Sequence, residues 1–152
     1  LKSVIQKPTV ICIEWIDPIM VAGNWIPELI EIAGGVNLLN EKGAHSYKIL
    51  WEDVLKSDPD IIIFMPCGFS INRTIEEMRL IKSKPSWDKL TAVVSEKVFI
   101  VDGNQYFNRP GPRLIDSAEI LAEILHEENI EKKFSNDASI ALKIGISDSN
   151  NL

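Results

Sequence analysis

The stretch TVICIEWIDP, residues 9–18, decides the fold, because an apolar strand runs directly into a loop that carries acids and an indole. Its first five residues are mostly β-branched, which is typical of a strand buried on both faces. Glu14 and Trp15 come where that strand ends, and a second indole, Trp25, follows in the stretch GNWIPEL at 23–29. A buried strand needs no indoles in the loop beyond its last residue. This loop is therefore predicted to be a surface that meets another molecule.

Strand-sized apolar runs alternate with helical patterns along the rest of the chain. The pattern predicts strands at 9–14, 60–65 and 97–101 and helices at about 24–33, 51–57, 72–83 and 112–126. Such alternation is typical of a parallel sheet with helices on both faces. The predicted fold class is α/β, a three-layer αβα, Rossmann-like arrangement with a mostly parallel sheet.

Composition limits the function classes. The 152 residues are 45% apolar and 25% charged, which suits one globular domain. A net charge of −6 without a basic stripe argues against nucleic acid as a partner. The apolar runs are only strand-sized, so no direct membrane insertion is expected. Cys12 and Cys67 form no CxxC pair and are predicted to be packed thiols.

The loops that follow the predicted strands carry the candidate binding residues. In an open parallel sheet, ligands bind beyond the carboxyl ends of the strands. Five of the chain's eleven aromatic residues fall in these loops. Each alone could be a hydrophobe folded over the core, but their coincidence favours a ligand face. The predicted ligand-binding set is Glu14, Trp15, Gly23, Asn24, Trp25, Cys67, Gly68, Phe69, Asn104, Tyr106, Phe107, Asn108 and Arg109.

Catalysis finds little support in the sequence. The chain has no GxGxxG after a strand, no GxxxxGK[ST], no GxSxG and no HExxH. Glu14 and Asp17 could pair as acid and base, yet no third group supports them. His45 is predicted to be solvated and His126 to cap a helix. The expectation is a binding protein without catalytic residues, resident cofactor or metal site.

An ordered set of motifs resembles a known family. The motifs are EWxDP at 14–18, GNWxPEL at 23–29, AGG at 33–35, WEDVL at 51–55, DPDII at 58–62 and NRPGPRL at 108–114. Together they resemble the C-terminal lobe of cobalamin-type substrate-binding proteins of ABC importers, a group that also carries iron siderophores and haem. The match covers roughly residues 5–126. The tail beyond it is rich in Glu, Lys, Ser and Asn.

The resemblance implies a domain plan. In that family two α/β lobes are joined by a long helix, and the ligand lies between them. Residues 1–6 would end that helix, 7–127 would form the C-terminal ligand-binding lobe, and 128–152 are expected to be a loose extension. The N-terminal lobe would be missing from this chain, which would leave half of a cleft.

The resemblance also implies partners and a ligand. The permease of an ABC importer would be a partner, and Glu52 is expected to dock on it, although an acid at a helix start has a sufficient structural reason. The ligand is expected to be cobalamin or a related corrinoid, since only Arg109 is well placed for an anion, with Arg113 less so and Arg73 doubtful.

Other readings of function and compartment stay open. A siderophore or haem would suit the same fold, and a stand-alone small-molecule-binding domain, sensor or enzyme is the alternative from another class. The expected location is periplasmic or extracytoplasmic, with a lipid anchor on the missing N-terminus as one option, or cytoplasmic if the parent has no signal.

Overall fold

A computed structural model describes residues 6–109 and 111–145. The strands and helices run in the following order: β1 Thr9–Trp15, β2 Met20–Val21, α1 Ile26–Ile32, β3 Val36–Asn37, β4 Tyr47–Lys48, α2 Trp51–Ser57, β5 Ile61–Phe64, α3 Ile71–Lys82, α4 Thr91–Val94, β6 Val98–Val101, α5 Gly103–Tyr106, α6 Leu114–Leu125 and β7 Ala141–Ile144. A short 3-10 turn at Trp87–Lys89 precedes α4.

One sheet carries all seven described strands, in the order β4-β2-β1-β5-β6-β7, with β3 alongside β1. Strands β1, β5 and β6 are parallel, while β2, β4 and β7 pair antiparallel with their neighbours. All four residues of β5 and of β6 are buried, as a strand covered on both faces requires. The predicted α/β class and the mostly parallel sheet are therefore confirmed.

Side-chain alternation along β1 divides the core into two halves. Val10 and Cys12 pack with residues of α1 and α6, whereas Ile11 and Ile13 pack with α3 and the Trp87 segment. Successive residues of a strand point to opposite faces, so one strand supplies both cores. Helices lie on both sides of the sheet, which gives the predicted three layers.

The helix starts differ from the predicted ones for local reasons. Helix α1 begins at Ile26 rather than at 24, because Asn24 has a φ of 56° in the left-handed region. Helix α3 begins at Ile71, where the hydroxyl of Ser70 accepts a hydrogen bond from the Arg73 amide at 3.3 Å. Helix α6 begins at Leu114, two residues after Pro112.

The prediction of a loose tail from residue 128 is wrong for its described part. Residues Ala141–Ile144 form β7, and all four pair with residues of β6. The pattern ALKI is only four residues long and is interrupted by Lys143, so its sequence carries no strong strand signal. The ladder with β6 supplies the stabilisation instead. Of the predicted linker-helix end at 1–6, only Gln6 lies within the described residues, and it is in no regular element.

Candidate functional site

The loops that follow β1, β5 and β6 meet at the carboxyl edge of the sheet. The amide of Cys67 donates to the carbonyl of Glu14 at 3.1 Å, which ties the second loop to the first. Gly103 lies so close to the second loop that an added Cβ would be 2.6 Å from the Pro66 carbonyl oxygen. Parallel strands bring these loops together, and most of the predicted site residues lie in them, while Gly23, Asn24 and Trp25 lie between β2 and α1. We call this surface the loop edge.

Trp15 forms the first part of the loop edge. It is half-buried, and its indole Nε1 donates to the Asp17 carbonyl at 3.1 Å. Its ring meets Phe69 edge-on at 5.3 Å between centroids. The guanidinium of Arg73 covers Phe69 at 3.8 Å from the ring centre. Trp15 and Arg73 therefore form an outer layer on Phe69.

Phe69 was expected to face outward, and this expectation is wrong. Only 6% of its surface is exposed. Gly68, at a φ of 74°, allows a tight turn in which the Phe69 amide donates to the Pro66 carbonyl at 3.1 Å. The turn is followed directly by α3, and the ring lies beneath Trp15 and Arg73. Gly68 itself is exposed.

Glu14 and Gly23 belong to a hydrogen-bonded network that holds a neighbouring loop. The Ser46 hydroxyl donates to the Glu14 carboxylate at 2.7 Å and accepts from the Gly23 amide at 3.1 Å. The Asn24 amide donates to the Ala44 carbonyl at 2.6 Å. These contacts give Glu14 and Gly23 a structural task. No motif or spacing in the sequence marks Ser46 as a member of this network.

Trp25 and Phe107 are linked across the edge. The Trp25 indole Nε1 donates to the Phe107 carbonyl at 3.2 Å, and the Trp25 ring is half-buried against the core. Phe107 was also expected on the ligand face, but it is 2% exposed and lies in the core. Residue 107 follows the single turn of α5, which directs its side chain inward among α6 residues.

The third loop presents Tyr106 and polar groups. The carboxylate of Asp102 caps α5 by accepting from the Gln105 amide at 3.0 Å. The buried Ser117 hydroxyl donates to the Tyr106 carbonyl, and the Arg113 guanidinium lies 5.4 Å from the centre of the Tyr106 ring. Tyr106 remains half-exposed.

The remaining members of the third loop differ in exposure. Asn104 and Arg109 are exposed, whereas Asn108 is half-buried. The side-chain nitrogen of Asn108 has no hydrogen-bond partner among residues 6–109 and 111–145.

The two cysteines differ in exposure, which corrects the prediction that both are packed. Cys12 lies in the core of the sheet, where burial raises the pKa of its thiol. Cys67 is exposed on the loop edge, because it follows the last buried residue of its strand segment and precedes the Gly68 turn. Of the two thiols, only that of Cys67 is accessible.

The structure shows how each residue that was considered for acid–base chemistry is placed. His45 is exposed in its loop, as predicted. The His126 Nε2 lies 2.8 Å from the carbonyl of Ala33, so it caps the end of α1 rather than its own helix. Asp17 is exposed, and Glu14 is held by Ser46. Within the described ranges no group of His, Cys, Asp and Glu side chains could hold a metal ion.

Glu52 lies on a different surface. It is exposed in the first turn of α2, where Asp53 performs the cap by accepting from the Leu50 amide at 2.9 Å. The preceding Trp51 packs against Trp87 at 6.3 Å between centroids and donates from its indole to the Pro85 carbonyl at 2.8 Å. The helix start is thus firmly anchored, and the Glu52 carboxylate is presented to solvent.

Charge at the loop edge contrasts with the rest of the protein. The chain has a net charge of −6, yet three of its four arginines fall in the segments that follow β5 and β6, with Arg73 in the first turn of α3 and Arg109 and Arg113 in the stretch before α6. All three are exposed. Sequence analysis left Arg73 doubtful, because only the contact with Phe69 places it here.

Comparison with known proteins gives one family and one fold. A family model described as periplasmic binding protein matches residues 1–105. No curated protein matches the chain significantly. Among residues 6–109 and 111–145, no helix has the length and apolar character needed to cross a membrane.

Several solved structures share the fold. An ABC transporter substrate-binding protein from Listeria monocytogenes superposes with a TM-score of 0.71 at 19% identity, covering 83% of this chain and 50% of that one. The periplasmic vitamin B12 binding protein BtuF of Vibrio cholerae gives 0.62 at 20% identity, covering 85% and 48%. Staphylococcus aureus IsdE complexed with heme gives 0.65 at 22%, covering 82% and 49%. The chain spans about half the length of these proteins.

Proposed function

The chain belongs to the periplasmic binding protein family, and from this premise we propose that it is the C-terminal lobe of a substrate-binding protein that serves an ABC importer. Binding proteins of this family work outside the cytoplasm, and the family and its structural neighbours are binding proteins rather than enzymes. The proposed lobe supplies one wall of a ligand cleft. A second, N-terminal lobe, in the half of the parent protein that this chain does not span, supplies the other wall.

The observation that carries the proposal is the loop edge itself. Strands β1, β5 and β6 are parallel, so their loops gather at one surface, and Trp15, Trp25 and Tyr106 are half-exposed there. Half-exposed rings held by indole hydrogen bonds offer broad apolar area with fixed orientation. A large, flat metal chelate is the ligand class that suits such a surface.

A corrinoid is the first candidate within this class. A macrocycle offers wide apolar faces that stack on aromatic rings and needs few charged contacts. The loop edge supplies these rings, while Asn104, Asn108 and Arg109 supply polar groups near them. The similarity to a vitamin B12 binding protein supports the choice only through the shared fold.

Equilibrium dialysis of the chain against cyanocobalamin tests the first candidate. If each lobe contributes half of a nanomolar binding free energy of about −12 kcal/mol, the single lobe retains about −6 kcal/mol, or a dissociation constant in the tens of micromolar. Trp15→Ala should weaken binding severalfold. Val94→Ala serves as the control and should leave binding unchanged. Val94 is exposed and lies on α4, which precedes β6, so it is at the opposite edge of the sheet. Equal binding by both variants, or no saturable binding at millimolar ligand, would refute the corrinoid proposal.

An anionic chelate is the second candidate, and the three exposed arginines favour it. Two of them already stack on aromatic rings of the loop edge, Arg73 on Phe69 and Arg113 near Tyr106. Guanidinium groups bind carboxylates through paired hydrogen bonds. Haemin, with two propionates, is the probe.

Comparison of the two probes separates the candidates. Under the anionic proposal, haemin binds more tightly than cyanocobalamin, weakens with added salt, and loses affinity in Arg73→Gln but not in Arg79→Gln. Arg79 is also exposed, but it stands two turns further along α3. The anionic proposal would be contradicted if haemin binding did not depend on salt and were unchanged in Arg73→Gln.

Glu52 is proposed as the docking contact for the importer permease. Its carboxylate is exposed while Asp53 caps the helix, so the cap does not require Glu52. An interface charge of this kind affects association more than the ligand pocket. In the two-lobed parent, Glu52→Arg should lower the ATP hydrolysis that the binding protein stimulates in reconstituted transporter and leave ligand affinity near wild type. Stimulation that survives this charge reversal would show that Glu52 has no docking role.

A further inference from the structure

A buried carboxylate holds the segment that connects α6 to β7. Glu123, on α6, is 3% exposed. Its two oxygens accept hydrogen bonds from three consecutive backbone amides, those of Lys133 at 2.8 Å, Phe134 at 3.0 Å and Ser135 at 2.7 Å. We call the connecting segment, residues 127–140, the strap. The Glu123 carboxylate therefore attaches the strap to the core helix.

The carboxylate is well suited to this attachment. Burial alone raises the pKa of Glu123, but the hydrogen bonds from the amides of Ser135, Lys133 and Phe134 outweigh it and lower the pKa below the ordinary value. Glu123 is thus ionised at neutral pH. A salt bridge also joins Lys133 to Glu119 at 3.5 Å, and both groups are about half-exposed or more, so it contributes little. A second one joins Glu127, at the start of the strap, to Lys143 of β7 at 3.0 Å.

The strap contacts the third loop of the loop edge at two places. Phe134 packs edge-on against Tyr106, with 6.4 Å between ring centroids. At the end of the strap, the Ile140 carbonyl accepts from the Asp102 amide at 3.0 Å, and Asp102 in turn caps α5. The strap therefore supports both ends of the short helix that carries Tyr106.

We propose that Glu123 is a positioning residue for ligand binding, because it holds the strap that fixes Tyr106 at the loop edge through Phe134. The inference rests on the proposed function in so far as it assigns Tyr106 to a ligand site. A helix of four residues cannot fix its own orientation, since it has few internal hydrogen bonds. Tyr106 therefore depends on outside contacts, which include Ser117 at its carbonyl and both Phe134 and Arg113 at its ring.

Fluorine NMR of the ligand-free chain labelled with 3-fluorotyrosine tests the positioning step. The chain has two tyrosines, and Tyr47 on β4 lies at the opposite end of the sheet from β7, so it is an internal reference. In Glu123→Gln the Tyr106 resonance should shift or broaden while the Tyr47 resonance stays in place. Glu119→Gln, on the same helix and also next to the strap, is the matched control and should move neither.

A second variant keeps the test decisive if Glu123→Gln fails to fold. Phe134→Leu retains Glu123 and the backbone hydrogen bonds and removes only the ring, so it should also move the Tyr106 resonance alone. An unmoved Tyr106 resonance in a folded Glu123→Gln chain, or in Phe134→Leu, would overturn the proposal. A shift of both tyrosines would show a general structural role and would overturn it as well.

Ligand affinity separates this inference from the proposed function. Whichever of cyanocobalamin and haemin binds the wild-type chain should bind Glu123→Gln about three- to tenfold more weakly, the range expected for losing one aromatic support. Unchanged affinity in a variant whose Tyr106 resonance has moved would overturn the proposal. If the wild-type chain binds neither probe, the proposed function fails, and the resonances alone still decide whether Glu123 positions Tyr106.

Discussion

Gly23→Ala should destabilise the protein markedly, because the backbone of a neighbouring loop occupies the space that a side chain needs. A Cβ at this position would lie 2.4 Å from the Ala44 carbonyl oxygen and 2.5 Å from the Ser46 amide nitrogen. Both atoms belong to the main chain, so no rotamer change relieves the contact. The loop must retreat by about 0.6 Å to reach the 3.0 Å below which Cβ contacts essentially never occur.

The magnitude follows from what this retreat disrupts. Overpacking costs about 1–3 kcal/mol. Two hydrogen bonds span the same gap, from Gly23 to the Ser46 hydroxyl and from Asn24 to the Ala44 carbonyl, and each contributes about 1 kcal/mol. The lower chain entropy of alanine in the unfolded state offsets about 0.4–1 kcal/mol. The expected loss in free energy of unfolding is about 2–4 kcal/mol.

Urea denaturation followed by tryptophan fluorescence measures this loss. Gly111→Ala is the matched control, since no atom of the described residues beyond its chain neighbours lies within 4 Å of a Cβ built there. It should change the free energy of unfolding by no more than about 0.5 kcal/mol. If Gly23→Ala cost less than about 1 kcal/mol, or no more than the control, the close approach of the two loops would not be the constraint described.

Three further predictions concern stability and accessibility. The pKa of Glu123 is lowered in the folded state, so the stabilisation that this carboxylate provides is complete above the ordinary glutamate pKa and is lost as pH falls through the folded-state pKa. The difference in free energy of unfolding between wild type and Glu123→Gln, measured by urea titration, should therefore shrink on acidification. A difference that stays constant with pH would contradict this. Trp87→Ala should lower the free energy of unfolding by about 3–5 kcal/mol in the same assay, since Trp87 is buried against Trp51, and a loss below about 1 kcal/mol would be inconsistent with that burial. A thiol-reactive chromophore should label Cys67 in the native chain and Cys12 only after unfolding; rapid native labelling of both would show that the sheet core is open.

The sequence predicted the three central strands β1, β5 and β6 and their main covering helices well, because local pattern and burial agree there. In β5 every residue is buried, so the apolar run IIIF could be recognised without knowing its neighbours. The resemblance was reached from ordered loop motifs, and the matching family model confirms its coarser part, the periplasmic binding protein family, over residues 1–105. Strand β7 could not be predicted, since its stabilisation comes from the hydrogen bonds of β6 rather than from its own residues.

The candidate site was predicted as a location but not as a set of exposed groups. Parallel topology alone brings the three loops together, and this could be inferred from the order of strands and helices. Whether a ring in these loops faces out depends on what packs over it. Phe69 lies under Trp15 and Arg73, and Phe107 enters the core, for reasons that involve residues distant in sequence.

The sequence by itself determined the fold class, the edge at which the loops gather and the family resemblance, because these follow from hydrophobic periodicity and from motifs of adjacent residues. Only the tertiary structure decided that Ser46 binds Glu14, that Trp15 packs on Phe69 and that Glu123 holds the strap. Each of these contacts joins different loops or segments of the chain. The free energy that such a contact contributes depends on distance and burial in the folded state, and no local sequence pattern encodes these.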